Sequence, residues 1–319
     1  MRNLFWNLVI SFCFGLGFVF PSFAFSVTFQ SVVSGTGDSL RGVGKTVNGK
    51  MEGNWKYFRK DSSIAWEGNY ENDILNGKYF TWSAEGKLAM EGNFQAGKEM
   101  GLFTSYYSSG VVASRKNYDY GILYGKSEEF YETGMNYKVE HYKEFTRVGT
   151  WKQWYENGQL DWSAHYINGR QSGPFISFYS NGNKKEEGAY ENDTRIGKWF
   201  FYYEDGIVQQ ERFYKGGLLT GTNVFYYKNG KVKETILYMD NEKDGPYSHF
   251  DINGNRFLLG SFQKDRENGS WTEFYPDGKK KWKGNYVNGQ KAGRWVFFDT
   301  NGKVERREKF DLDPLQASW

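Results

Sequence analysis

Between residues 53 and 310, aromatic side chains return at fixed places in a frame of twenty-four residues, and glycine punctuates that frame. Counted from its leading glycine as position zero, the frame opens at Gly53, Gly77, Gly101, Gly125, Gly149, Gly173, Gly197, Gly221, Gly245, Gly269 and Gly293. Positions five and seventeen are aromatic in all eleven repeats, from Phe58 and Tyr70 in the first to Phe298 and Phe310 in the last. Position nine is glycine in ten of them, commonly after Asn or Asp, as in Asn157-Gly158 and Asp277-Gly278. Such pairs between aromatic-rich runs signal hairpin turns, because the turn needs a residue at positive φ. Each repeat therefore predicts two strands of about seven residues with a tight turn near position nine. A looser turn is expected over positions nineteen to twenty-three, such as Asn168-Gly169-Arg170-Gln171-Ser172. Two glycine turns per repeat leave no room for a helix. The prediction is all-β: an elongated, twisted single-layer antiparallel β-meander of about eleven hairpin repeats, extending roughly 100 Å.

The tight turn decides which residues share a face. A three-residue turn ending in a left-handed glycine pairs position five with position eleven, which is aliphatic in seven repeats (Ile64 and Leu88 among them). Positions five, eleven and seventeen are then expected on one face. A two-residue turn would instead pair position two with position fifteen. Gly68, Gly92, Gly188, Gly260 and Gly284 at position fifteen go with an aromatic at position two, as if the ring covered the glycine. The three-residue turn is preferred.

Position two supplies the candidate binding residues Trp55, Trp151, Trp199, Trp271 and Trp295, and position six adds Tyr155, Tyr179 and Tyr203. Two readings stay open for them. They pack on neighbouring strands and hold a single-layer sheet together, or they line a surface for a ligand. A glycan or a choline-type cation is the alternative ligand class, since clustered rings can cage cations. Four residues break the repeat pattern, Ser127, Glu144, Phe145 and Asn223.

The ends differ from the repeats. Arg2, an apolar run from Leu4 to Phe20, and Ser22-Phe23-Ala24 have the form of a secretory signal peptide over residues 1–24, with an uncleaved anchor as the alternative. Residues 25–48 read as a linker with a degenerate N-terminal cap, 49–310 as the repeats, and 311–319 as a C-terminal tail carrying Asp311, Asp313 and Pro314 as edge protection. The expected location is outside the cytoplasm: periplasm, cell envelope or secreted. Cys13, the single cysteine, lies inside the signal segment, so the mature chain offers no thiol for disulfides, catalysis or metal binding.

Aromatics make up 20% of the chain although mean hydropathy is −0.74, so rings replace the aliphatic residues of a thick core. A net charge of +3 spread along the chain shows no basic patch of the kind that binds nucleic acid. His141, His165 and His249 have no carboxylate that would complete a metal set, and no glycine pattern forms a phosphate loop. The chain is expected to be no enzyme and to carry no cofactor or metal. Strands this short, with Lys or Glu on either face, do not suit a transmembrane barrel.

The stretch Gly269-Ser270-Trp271-Thr272-Glu273-Phe274-Tyr275-Pro276-Asp277-Gly278, followed by Lys283-Gly284-Asn285-Tyr286-Val287-Asn288-Gly289-Gln290-Lys291-Ala292-Gly293, resembles the bacterial variant of the MORN repeat. The resemblance extends over about residues 48 to 310. It implies an extended sheet of hairpins used for contact with a protein partner or a membrane surface. Many bacterial members look like the antitoxin component of a toxin–antitoxin module. With an export signal, immunity against a toxin acting in the envelope is the form this would take.

Overall fold

The computed structural model describes residues 26–33 and 39–312, so the signal segment with Cys13 and the tail from Asp313 lie outside the described residues. Every described element is a β-strand. Two compact units divide between Thr146 and Arg147. In the first, Ser26–Val33 pairs with Ser39–Val47, which pairs with Lys50–Phe58, and antiparallel hairpins follow in sequence order to Asn136–Lys143. The second is itself an antiparallel meander, from Gly149–Trp154 to Val304–Phe310.

The turn at position nine is the three-residue kind. Tyr155 N–H reaches Gln159 O at 2.8 Å and Gly158 N–H reaches Tyr155 O at 2.9 Å, with Gly158 at φ 83°. Position five accordingly faces position eleven, as in Trp154 with Leu160. One residue later the register shifts: Gln153 faces Trp162, and Trp151 faces Ala164. Position twelve is an extra residue, a β-bulge that bends the strand and moves every later side chain to the other face. Both pairings read from the sequence therefore coexist, five with eleven and two with fifteen. The expectation that position seventeen shares a face with five is corrected, because the bulge places seventeen with two.

The loose turn of positions nineteen to twenty-three is also corrected. Ile167 pairs directly with Arg170, leaving only Asn168 (φ 49°) and Gly169 (φ 84°) in the turn. Two consecutive positive φ values define a type I′ hairpin turn, whose twist matches that of the strands. The strands are accordingly longer than expected, eight residues in Leu160–Ile167 and nine in Arg170–Phe178. Pairing resumes at Ala164 with Phe175, so Ser172, Gly173 and Pro174 together oppose His165. The leading glycine sits in this second bulge, with φ between 65° and 125° in all eleven repeats. It lies inside a strand in seven repeats and opens one at Gly101, Gly149, Gly221 and Gly269, and it does not mark the turn between hairpins.

Two faces result. One carries positions two, four, thirteen, fifteen and seventeen, here called the column face. The other carries one, three, five, eleven, fourteen and sixteen, here called the ladder face. On the column face, the rings of positions two and seventeen alternate edge to face. In the second unit Tyr247, Phe262, Trp271, Tyr286, Trp295 and Phe310 form one run with centroids 5.1–5.8 Å apart and interplanar angles of 71–87°. In the first unit Tyr79, Phe94, Phe103 and Tyr118 do the same at 5.2–5.5 Å. Each such pair contributes about 0.5–1.5 kcal/mol beyond the area it buries. This herringbone is the core of a sheet that has few aliphatic residues.

Candidate functional site

The five tryptophans chosen from the sequence are all buried, at 0% exposure for Trp55 and Trp199, 1% for Trp295, 2% for Trp151 and 4% for Trp271. Four of the indoles lie on the glycine of the preceding hairpin, whereas Glu140 holds that position before Trp151. Cβ atoms added at Gly44, Gly188, Gly260 and Gly284 would come within 2.3 Å of the rings of Trp55, Trp199, Trp271 and Trp295. The glycine–ring match read within one repeat thus acts across the boundary to the next. The indole N–H groups of these four donate to the carbonyls of Lys45, Ala189, Ser261 and Asn285 at 3.1–3.3 Å. Those carbonyls belong to position sixteen, the residue facing the bulge. Ring face, ring edge and N–H are all engaged inside the sheet.

The three tyrosines are half-buried at the edge formed by the position-nine turns. Tyr155, Tyr179 and Tyr203 donate their hydroxyls to the carbonyls of Phe178, Tyr202 and Tyr226, position five of the following repeat, at 2.8–2.9 Å. Asn157 and Asn181 add a parallel set of bonds, from Nδ2 to Ser180 O and Glu204 O. These groups tie each turn to the next. Burial, followed by the nearby Asp161 carboxylate, pushes the Tyr155 hydroxyl up to about 12, so it remains a donor.

Open surface with chemical variety lies on the ladder face. All eleven position-five rings are half-buried there. The hydroxyls of Tyr106 and Tyr226 donate to Glu91 and Glu211 at 2.5 and 2.6 Å, and Tyr202 donates likewise to Glu187. Lys184 bridges Glu187 at 2.9 Å, and Lys198 bridges Glu211. Burial raises the Glu187 and Glu211 carboxyls, but tyrosine and lysine partners outweigh it and hold both below the ordinary carboxylate value. Burial, and then the Glu211 bond, pushes the Tyr226 hydroxyl up to about 12.

Cations at position twenty-two escaped the sequence reading. In the second unit Arg147, Arg195, Lys243 and Lys291 stand over rings of the columns, 4.1 Å from the Trp199 centroid for Arg195 and 4.5 Å from Trp295 for Lys291. They recur every forty-eight residues, a two-repeat period hidden inside the twenty-four-residue frame.

The four pattern breakers fall into two kinds. Ser127 and Asn223 occupy position two, where a ring would stand, and both are buried. Ser127 Oγ has no hydrogen-bond partner among the described residues, and Lys116 and Glu140 flank it in register. Asn223 instead receives Phe213 N–H at 2.9 Å and donates to Gly221 O at 3.3 Å. Position fifteen of the preceding hairpin is Lys116 at one gap and Arg212 at the other, long side chains where most column rings lie on glycine. Glu144 and Phe145 form a two-residue turn with φ of 50° and 63°, and Phe145 is 61% exposed. Asn, Asp or Gly holds the second turn position in every other repeat.

Among the described residues no group of three or more His, Cys, Asp and Glu could hold a metal ion. No helix among them is long and apolar enough to cross a membrane.

A family model described as "MORN repeat variant" matches residues 75–96, 101–120, 147–168, 171–192, 195–215, 219–240 and 267–288. No curated protein matches the chain. A solved structure described as "Crystal Structure of TcdB2-TccC3-Cdc42" is 9% identical over 86% of this chain and 20% of that one, with a TM-score of 0.17. The chain spans a fifth of that protein's length, and a likeness this low carries no argument about partner or activity.

Proposed function

On a chain whose hairpins are MORN-variant repeats, we propose a non-enzymatic binding protein of the bacterial envelope that engages a protein partner along the ladder face. One observation supports this most directly. The rings of the column face are consumed in packing, while the ladder face repeats half-buried rings beside charged rows. Such a periodic, partly apolar surface suits an extended contact of many small contributions, which is how repeat architectures bind. Cleavage after Ala24 would deliver the repeats outside the cytoplasm, and immunity against an envelope-acting toxin fits that location.

The experiment is a pull-down of the mature chain from envelope extract. Recovery of one partner, lost when charges on the ladder face are reversed, is expected. Failure to enrich anything above a control protein would overturn the reading. Titration with choline or glycan fragments, followed by tryptophan fluorescence, tests the other ligand class. Saturable quenching there would favour a glycan or choline site.

A further inference from the structure

Net charge is dispersed along the chain, but the sheet register gathers part of it. In the repeats that open at Gly269 and Gly293, the ladder face carries Lys280, Lys283, Arg294, Arg307 and Lys309 and no carboxylate at any of its positions. All five are exposed. Lys283 and Arg307 flank Val296 across the sheet, and Arg294 pairs with Lys309. Two strand spacings put Lys283 and Arg307 about 9.6 Å apart. Position fourteen, which is Glu187 and Glu211 earlier in the same unit, is Lys283 and Arg307 here. Asp311 pairs with Lys309 at 2.9 Å, while Lys283, Arg294 and Arg307 have no acidic partner among the described residues.

This patch ends on the strand Val304–Phe310, which pairs with Gln290–Phe298 on one side and with no described strand on the other. A terminal strand offers a row of free N–H and C=O groups, a template for an added strand. Two copies of this strand laid antiparallel about Glu308 would set Arg307 against Lys309, and like charges in register repel. In that register the edge disfavours its own kind, and its ladder-side cations favour an acidic strand.

We propose that Val304–Phe310 is a docking edge for an extended acidic segment of a partner protein, with carboxylates at alternate residues set against Arg307, Lys309 and the Arg294–Lys283 row behind them. This rests on the binding reading above and names its partner chemistry. Arg306 and Glu308, joined at 2.8 Å on the column face, neutralise each other there. Selectivity for acid thus resides on the ladder side of the edge.

The test uses the full mature chain and fluorescence anisotropy with labelled ten-residue peptides. The alternating peptide (Glu-Val)5 should bind, weaken with added salt, and lose affinity about tenfold or more in the Arg307→Glu/Lys309→Glu variant. A peptide of the same composition with its glutamates blocked together should bind far less. So should the alternating peptide N-methylated on the edge that faces the strand. Circular dichroism of the variant should match the parent, since both side chains are exposed. Equal binding of the blocked peptide, insensitivity to N-methylation, or capture by phosphatidylglycerol vesicles without peptide binding would each overturn the proposal. If an envelope partner is recovered equally well by parent and variant, the docking edge is wrong while the wider binding reading stands.

Discussion

Trp271 lies flat on Gly260 and gives its indole N–H to the carbonyl of Ser261 at 3.2 Å, an oxygen that also receives the Asn268 N–H at 2.8 Å. A bulge thus exposes a carbonyl, a ring closes over the glycine beside it, and one oxygen takes two donors. A Cβ on Gly260 would sit 2.1 Å from the ring. Gly260→Ala should therefore destabilise the second unit by about 1–3 kcal/mol through overpacking, read as a lower urea midpoint. Trp271→Phe keeps a ring on the glycine but loses the donor, and should cost about 0.5–1.5 kcal/mol for the hydrogen bond in addition to the lost ring area.

The gap at Asn223 predicts a coupled pair. Arg212 stands at position fifteen, where Gly188 and Gly260 lie under rings. Asn223→Trp alone should destabilise, because the indole meets the arginine. Adding Arg212→Gly should recover stability, with a coupling of about 0.5–3 kcal/mol in a double-mutant cycle. Strictly additive effects would show that the two positions do not exchange volume.

The turn-edge tyrosines should matter one rung at a time. Tyr179→Phe removes only the hydroxyl that reaches Tyr202 O at 2.9 Å. The expected cost is about 0.5–1.5 kcal/mol. Amide hydrogen exchange should speed up around residues 178–203, with distant repeats unaffected, as nearest-neighbour coupling requires.

Stability should fall at both pH extremes for reasons visible on the two faces of the sheet. Glu187 and Glu211 are held below their ordinary value of 4.5, so their contribution is full above that pH and is lost as pH drops through the lowered values. Tyr226 and Tyr247 are raised from 10.0 to about 12, so their contribution is full below 10 and is lost as pH climbs toward 12. Denaturation midpoints should be flat from about pH 5.5 to 9.5 and decline outside that window. Glu187→Gln with Glu211→Gln should remove much of the acid limb and leave the alkaline limb in place.

The sequence carried the repeat, the three-residue turn and the pairing of position five with eleven, because Asn-Gly and Asp-Gly specify turn geometry locally. It did not reveal which face holds position seventeen. That depends on a bulge at position twelve, where residues such as Ala65 and Asp161 share no signature. The leading glycine was visible, but its meaning was not, since a glycine at positive φ serves a bulge as well as a turn. The candidate tryptophans stood out by ring size, whereas the burial of Trp55, Trp199, Trp271 and Trp295 follows from the glycine of the preceding hairpin, a relation between repeats. The cationic patch was invisible in the net charge, because only the register brings Lys283, Arg294 and Arg307 onto one face.

The central claim is that the position-two rings form the core of the sheet, leaving the ladder face to bind. Exchange of the tryptophan indole N–H with deuterium, followed by NMR of the labelled mature chain, addresses it most directly. The account predicts that the indoles of Trp55, Trp199, Trp271 and Trp295 exchange slowly and stay slow when a partner is added. Exchange of these four as fast as an exposed indole, or protection that appears only on ligand binding, would contradict it.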